Sequence, residues 1–120
     1  MKNTVFTGAA TALITPFKNG AIDFGSFERS LEQQIAGGIS ALVVSGTTGE
    51  GSTLTDGEHR ELIKFAVEKV AGRVPVIAGT GSNDTAYAID LSQYACSVGA
   101  DALLLVTPYY NKATQEGLYQ

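Results

Sequence analysis

Cysteine is nearly missing from this chain, and so is histidine. One Cys and one His stand in 120 residues. Cys96 alone cannot close an intrachain disulfide, which suits a reducing compartment and leads us to expect a cytoplasmic protein. Cys96 and His59 together cannot make a His/Cys zinc site, so no metal is expected. Positive charge is also scarce: eight Lys and Arg face twelve Asp and Glu, for a net charge of −4. The basic residues form no stripe, which argues against nucleic acid as a partner. No apolar run approaches the ~20 residues of a membrane span. The segment from Met1 to Phe6 has one lysine and no apolar stretch, so it does not read as a secretory signal. Glycine is abundant instead. The fourteen glycines exceed the ~7% average usage, follow no triplet period, and fall at segment ends as turns and helix stops.

A strand-like run followed by a helix-like run recurs four times. The first apolar run is Ala9 to Ile14, stopped by Thr15-Pro16. Asn19-Gly20 predicts a small hairpin between Thr15-Pro16-Phe17 and Ile22-Asp23. Asp23 is a candidate N-cap for a helix whose apolar face is Phe24, Phe27, Leu31 and Ile35, stopped by Gly37-Gly38. Ala41 to Val44 is apolar without alternation, as in a parallel strand covered on both faces. Thr55 and Glu58 form a capping box ahead of Leu62, Ile63, Ala66, Val67 and Val70, and Gly72 is the expected stop. Val74 to Ala78 is the third strand. Asn83 or Asp84 caps a third helix with Ala88, Leu91, Ala95 and Val98 on its core face. Ala102 to Val106 is the fourth strand, and another helix starts near the end of the chain. Strand centres recur every ~30 residues, the size of a βα unit. An open doubly wound sheet and part of a (βα)8 barrel both fit.

In either architecture ligands bind at the C-terminal ends of the strands. The loop Gly46-Thr47-Thr48-Gly49-Glu50-Gly51-Ser52 lies there. Its glycines let backbone amides approach a ligand, successive amides make an anion nest, and two hydroxyls add donors. A phosphate or small carboxylate would suit; the alternative is a plain glycine-rich turn. Gly79-Thr80-Gly81 lacks the continuation of a dinucleotide fingerprint and reads as a turn. Two adjacent tyrosines, Tyr109 and Tyr110, follow the fourth strand and point to a pocket, a proton relay or an interface. His59, flanked by Glu58 and Arg60, reads as a surface residue. Cys96, beside an apolar helix face, is expected to be a buried, inert thiol.

Taken together, Gly46-Thr47-Thr48-Gly49-Glu50, Ala78-Gly79-Thr80-Gly81, Thr107-Pro108-Tyr109-Tyr110-Asn111 and Gln115-Glu116-Gly117-Leu118-Tyr119 resemble the dihydrodipicolinate synthase / N-acetylneuraminate lyase family. The opening Gly8 to Pro16 is similar as well. The resemblance implies an α/β fold: residues 1–120 as the first half of a single (βα)8 TIM barrel, four βα units with the last helix incomplete, and no second domain. It implies class I aldolase chemistry. Pyruvate forms a Schiff base with a lysine, becomes an enamine, and adds to aspartate semialdehyde on the way to lysine and diaminopimelate. No cofactor is needed, because the imine itself is the electron sink. By position, Thr48 and Thr47 would bind pyruvate. Thr47 would be the middle of a Tyr–Thr–Tyr proton relay, and Tyr110 a relay tyrosine lent across a dimer interface in a homodimer or tetramer. Ser52, His59, Asn83, Tyr87 and Tyr109 match a lysine effector site. Tyr87 stands where inhibited relatives typically carry Glu, so strong inhibition by lysine is not expected.

The family's Schiff-base lysine and second relay tyrosine would lie beyond residue 120. Lys2, Lys18, Lys64, Lys69 and Lys112 have no setting that would depress an amine pKa. The chain is therefore expected to be an inactive piece of a longer enzyme. Three alternatives stand beside that reading: a lyase of sialic acid or another 2-keto acid aldolase of the same family, a half-barrel that pairs with itself, and a non-enzymatic carboxylate-binding remnant.

Overall fold

The computed structural model describes residues 3–120; Lys2, one of the five lysines, lies outside them. In chain order the elements are β1 (Ala10–Ala12), β2 (Phe17–Lys18), β3 (Ala21–Ile22), α1 (Phe24–Ala36), β4 (Ala41–Val44), α2 (Asp56–Val70), β5 (Val76–Gly79), α3 (Thr85–Ser97), β6 (Ala102–Leu104) and α4 (Gln115–Tyr119). A 3-10 turn at Gly51–Thr53 precedes α2. The sheet order is β1-β4-β5-β6, every pair parallel. Strand order follows chain order without a reversal, and α1, α2 and α3 pack side by side against one another. A doubly wound sheet reverses direction and carries helices on both faces. Succession without reversal is the barrel arrangement.

Local chemistry sets the element ends. Asn19 and Gly20 both have positive φ, as a two-residue type I′ hairpin between β2 and β3 requires. Asp23 caps α1 by accepting from the Ser26 amide at 3.0 Å and the Ser26 hydroxyl at 2.7 Å. Those bonds hold its carboxyl below the usual range. The capping box of α2 is present: the Glu58 amide donates to Thr55 Oγ1 and the Thr55 amide to Glu58 Oε2. Asp84, not Asn83, caps α3. At the end of α2 the left-handed turn begins at Ala71, one residue before the expected Gly72.

The register Leu42↔Val76 and Val44↔Ala78 points one set of strand residues at the helices, where all four are buried. With Phe27 and Leu31 of α1 and Leu62, Ala66 and Val70 of α2, most of them form the main core. Ile63, Ala78, Leu91 and Ala95 form a second cluster under α3. The alternate set, Val43 and Ile77, is only half-buried. These residues line the side that faces the interior of a closed barrel. Outside, a Lys69–Glu28 ion pair at 3.0 Å ties α2 to α1, and an Arg73–Glu32 pair at 2.6 Å ties the turn after α2 to α1.

Other sequence expectations shift as well. β1 and β6 are shorter than the apolar runs that contain them, because each ends the sheet and has a strand on one side only. Cys96 is exposed, not buried. The buried positions on α3 are Leu91 and Ala95, and one step past Ala95 turns a side chain about 100° away from them. His59 is buried, not on the surface.

Candidate functional site

β4, β5 and β6 end at the same mouth, and a cleft of about 220 Å³ opens there. Thr47, Ser52, His59, Val106, Tyr109 and Tyr110 are among its walls. The structure therefore brings together two of the three residues that the sequence nominates for chemistry, Thr47 and Tyr110. Thr48 is exposed beside them and is not part of the cleft wall. Tyr110 is fully exposed and sits at φ +66°, an uncommon conformation for a bulky side chain.

The Thr47-Thr48 loop closes on itself through Glu50 N–H to the Thr47 carbonyl (3.0 Å) and Gly51 N–H to the Gly46 carbonyl (3.1 Å). Among the described residues, no backbone carbonyl accepts from Thr47, Thr48 or Gly49. Two hydroxyls and a run of uncommitted amides are the donors an oxyanion needs. The base of the loop is packed backbone on backbone. A Cβ on Gly51 would fall 2.2 Å from the Ser45 carbonyl oxygen, and one on Gly79 2.4 Å from the same atom. Ser45 itself is buried at φ +54°, and its hydroxyl donates to the Val44 and Gly79 carbonyls. Ser45 and Thr15 were not singled out from sequence. The available signal was a polar residue closing each apolar strand run.

His59 Nε2 donates to the Gly79 carbonyl at 2.9 Å, which leaves the neutral ring bare at Nδ1. Burial pushes its pKa down, and the Gly79 bond offsets only part of that. The folded state thus binds this proton less readily than the unfolded chain, where the pKa is ~6.5. Stability is full above ~6.5 and declines as pH falls from there toward the folded value. The expected result is a lower urea midpoint at pH 5 than at pH 7.5. His59→Gln keeps a donor and loses the titration, so it should flatten that slope; an unchanged slope removes His59 as its source.

A second cleft of about 200 Å³ adjoins the first, lined by Ser52, Asp56, His59, Tyr87 and Tyr109 among others. Four of the five residues matched to an effector site line it. The fifth, Asn83, holds Tyr109 by donating to its carbonyl at 3.1 Å. Sequence reading missed Asp56. Its carboxylate is engaged by Arg60 at 2.9 Å, and Arg60 also pairs with Asp90. Burial, then the Asp56 carboxylate, raises the pKa of Tyr87. Among the described residues, neither cleft is lined by a lysine. No helix among the described residues is long and apolar enough to cross a membrane.

Residues 5–120 match the model of the dihydrodipicolinate synthetase family. A 4-hydroxy-tetrahydrodipicolinate synthase of Kosmotoga olearia is 61% identical over 116 residues, which is 97% of this chain and 40% of that protein. One of Acetivibrio thermocellus is 56% identical over all of this chain and 41% of its own length. The crystal structure of dihydrodipicolinate synthase from Aquifex aeolicus superposes with a TM-score of 0.91 at 52% identity, over 95% of this chain and 39% of that one. The chloride-inhibited synthase of Acinetobacter baumannii, complexed with pyruvate, gives 0.91 at 50% identity, over 97% and 40%. The chain thus spans about two fifths of its relatives' length, and its four βα units are the N-terminal portion of their barrel.

Proposed function

Because this chain belongs to the dihydrodipicolinate synthetase family, we propose that it supplies the first half of a 4-hydroxy-tetrahydrodipicolinate synthase, one barrel domain that condenses pyruvate with aspartate semialdehyde. The observation that carries this reading is the meeting of Thr47, Tyr109 and Tyr110 at one cleft beside a loop with free amides. The Thr48 hydroxyl and amide hold the pyruvate carboxylate. A lysine from outside these 120 residues condenses with the keto carbon and releases water. The resulting iminium acidifies the methyl group, which loses a proton to give the enamine, and the enamine carbon attacks the aldehyde. Thr47 and Tyr110 pass protons through their hydroxyls between the cleft and solvent. Tyr110 is fully exposed on its own chain. It serves the neighbouring subunit of a homodimer or tetramer, where burial would repay the exposure of its ring. The enzyme works in the cytoplasm, without a cofactor, on the route to lysine and diaminopimelate.

The second cleft is the effector site of this enzyme. Tyr87 offers a neutral phenol, and the Asp56 carboxylate is already held by Arg60. A ligand ammonium finds no uncommitted carboxylate there, so lysine inhibits weakly.

Trapping with pyruvate and borohydride, read by intact mass, tests the reading. The full-length protein should gain one reduced pyruvate. The 120-residue chain should gain none: Lys18, Lys64, Lys69 and Lys112 are exposed, and none lines either cleft. A full-length protein without the adduct is not a Schiff-base aldolase. An adduct on the 120-residue chain would place the nucleophile within it.

A further inference from the structure

Thr15 is buried, 4% exposed, at the mouth of the sheet. Its Oγ1 donates to the carbonyl of Gly49 at 2.6 Å, across 34 residues of chain. We propose that Thr15 is a positioning residue for the carboxylate loop. Its hydroxyl fixes the Gly49–Glu50 peptide, one residue past Thr48, and so holds that loop in its receiving conformation. The inference rests on the reading of Thr48 as the pyruvate-carboxylate ligand.

The backbone leaves the Thr15 hydroxyl little choice of position. Two residues before it, Leu13 N–H donates to the Val43 carbonyl at 2.9 Å. Directly after it comes Pro16, which keeps its predecessor extended, and the Pro16 carbonyl accepts from Asp23 N–H at 2.8 Å. Thr15 is therefore anchored on both sides, by β4 and by the start of α1.

Gly49, the acceptor, is equally constrained. It is buried, and a Cβ there would lie 3.0 Å from the Leu13 carbonyl oxygen and 3.1 Å from the Ser45 amide nitrogen. With its carbonyl bonded to Thr15, the Gly49–Glu50 peptide plane is set. The Glu50 amide then closes onto Thr47. What remains uncommitted in the loop is the set of donors a carboxylate takes up. Packing alone does not call for a hydroxyl here, since valine has the same shape. A buried hydroxyl is retained where its bond matters, because desolvating it is otherwise unfavourable.

The test is steady-state kinetics of the full-length protein with Thr15→Val and Thr15→Ser. A loosened nest weakens ground state and transition state alike, so KM for pyruvate should rise about tenfold in Thr15→Val with kcat little changed. Thr15→Ser should restore KM. A role confined to stability would lower the melting temperature and leave KM where it was, and that result overturns the proposal. Should Thr15→Val fail to fold, Thr15→Cys, a weak donor in similar volume, replaces it, and an unchanged KM there overturns the proposal equally. Borohydride trapping of the unmutated protein separates the two claims. A trapped adduct with unchanged KM in the variant removes the role of Thr15 alone. No adduct in the unmutated protein removes the synthase reading and the role of Thr15 with it.

Discussion

Thr47→Val in the full-length protein is expected to lower kcat by about two to four orders of magnitude, the usual worth of a positioned proton-transfer group. Valine preserves the shape of Thr47 and removes only the hydroxyl. The free amides of the loop belong to the backbone and survive the change, so pyruvate should still bind and be trapped by borohydride. KM for pyruvate should move little. Thr47 lines the cleft together with Tyr109 and Tyr110; on the proposed reading the lost hydroxyl interrupts proton transfer rather than recognition. Thr47→Ser should recover most of the rate. A kcat within about threefold of the parent enzyme would be too small for a proton-transfer group and would exclude Thr47 from the relay. The split runs opposite to that at Thr15, and the two variants together separate moving a proton from holding a carboxylate.

Gly79→Ala should destabilise the fold by about 3 kcal/mol or more, at the upper end of overpacking effects. The added Cβ would lie 2.4 Å from the Ser45 carbonyl oxygen, 2.7 Å from its carbon and 2.8 Å from the Gly46 nitrogen. All three are backbone atoms at the end of β4, and none can rotate aside. The only relief is to part β4 from β5 exactly where the Thr47-Thr48 loop begins. The Gly79 carbonyl also accepts from Ser45 and His59, so the same movement strains both bonds. Gly57→Ala is the control: nothing lies within 4 Å of its Cβ, and in the first turn of a helix alanine should be neutral or gain up to about 1 kcal/mol. Urea unfolding of the two variants measures the contrast. Equal midpoints would mean that the β4–β5 junction gives way easily.

The elements with strong local chemistry were legible in the sequence. The Thr55–Glu58 box, the Asn19-Gly20 hairpin and the Phe27–Leu31 face of α1 depend on neighbours within a few residues, and each is where its pattern predicts. His59 shows what was readable and missed. It precedes Leu62 and Ile63 by three and four residues, so helical periodicity already placed it on the buried face. Its charged sequence neighbours suggested otherwise. The clamps at Thr15 and Ser45 were not legible, because each reaches a carbonyl 34 residues away and no local pattern encodes that meeting. Asp56 was hidden for a different reason: as an acidic residue in the first turn of α2 it already had a sufficient role there.

The order β1-β4-β5-β6 has a consequence for biosynthesis. Each new strand docks on the one synthesised just before it, about 30 residues earlier, so loop-closure cost stays low at every step. A ribosome adds about 5–20 residues per second, which gives each βα unit a few seconds before the next arrives. Sheet growth can therefore keep pace with translation, with the free edge always at the newest strand. The oldest edge, β1, is the exception. A closing barrel gives it a partner only from the last strand made, so it waits longest, and its brevity at three residues limits what it can capture meanwhile.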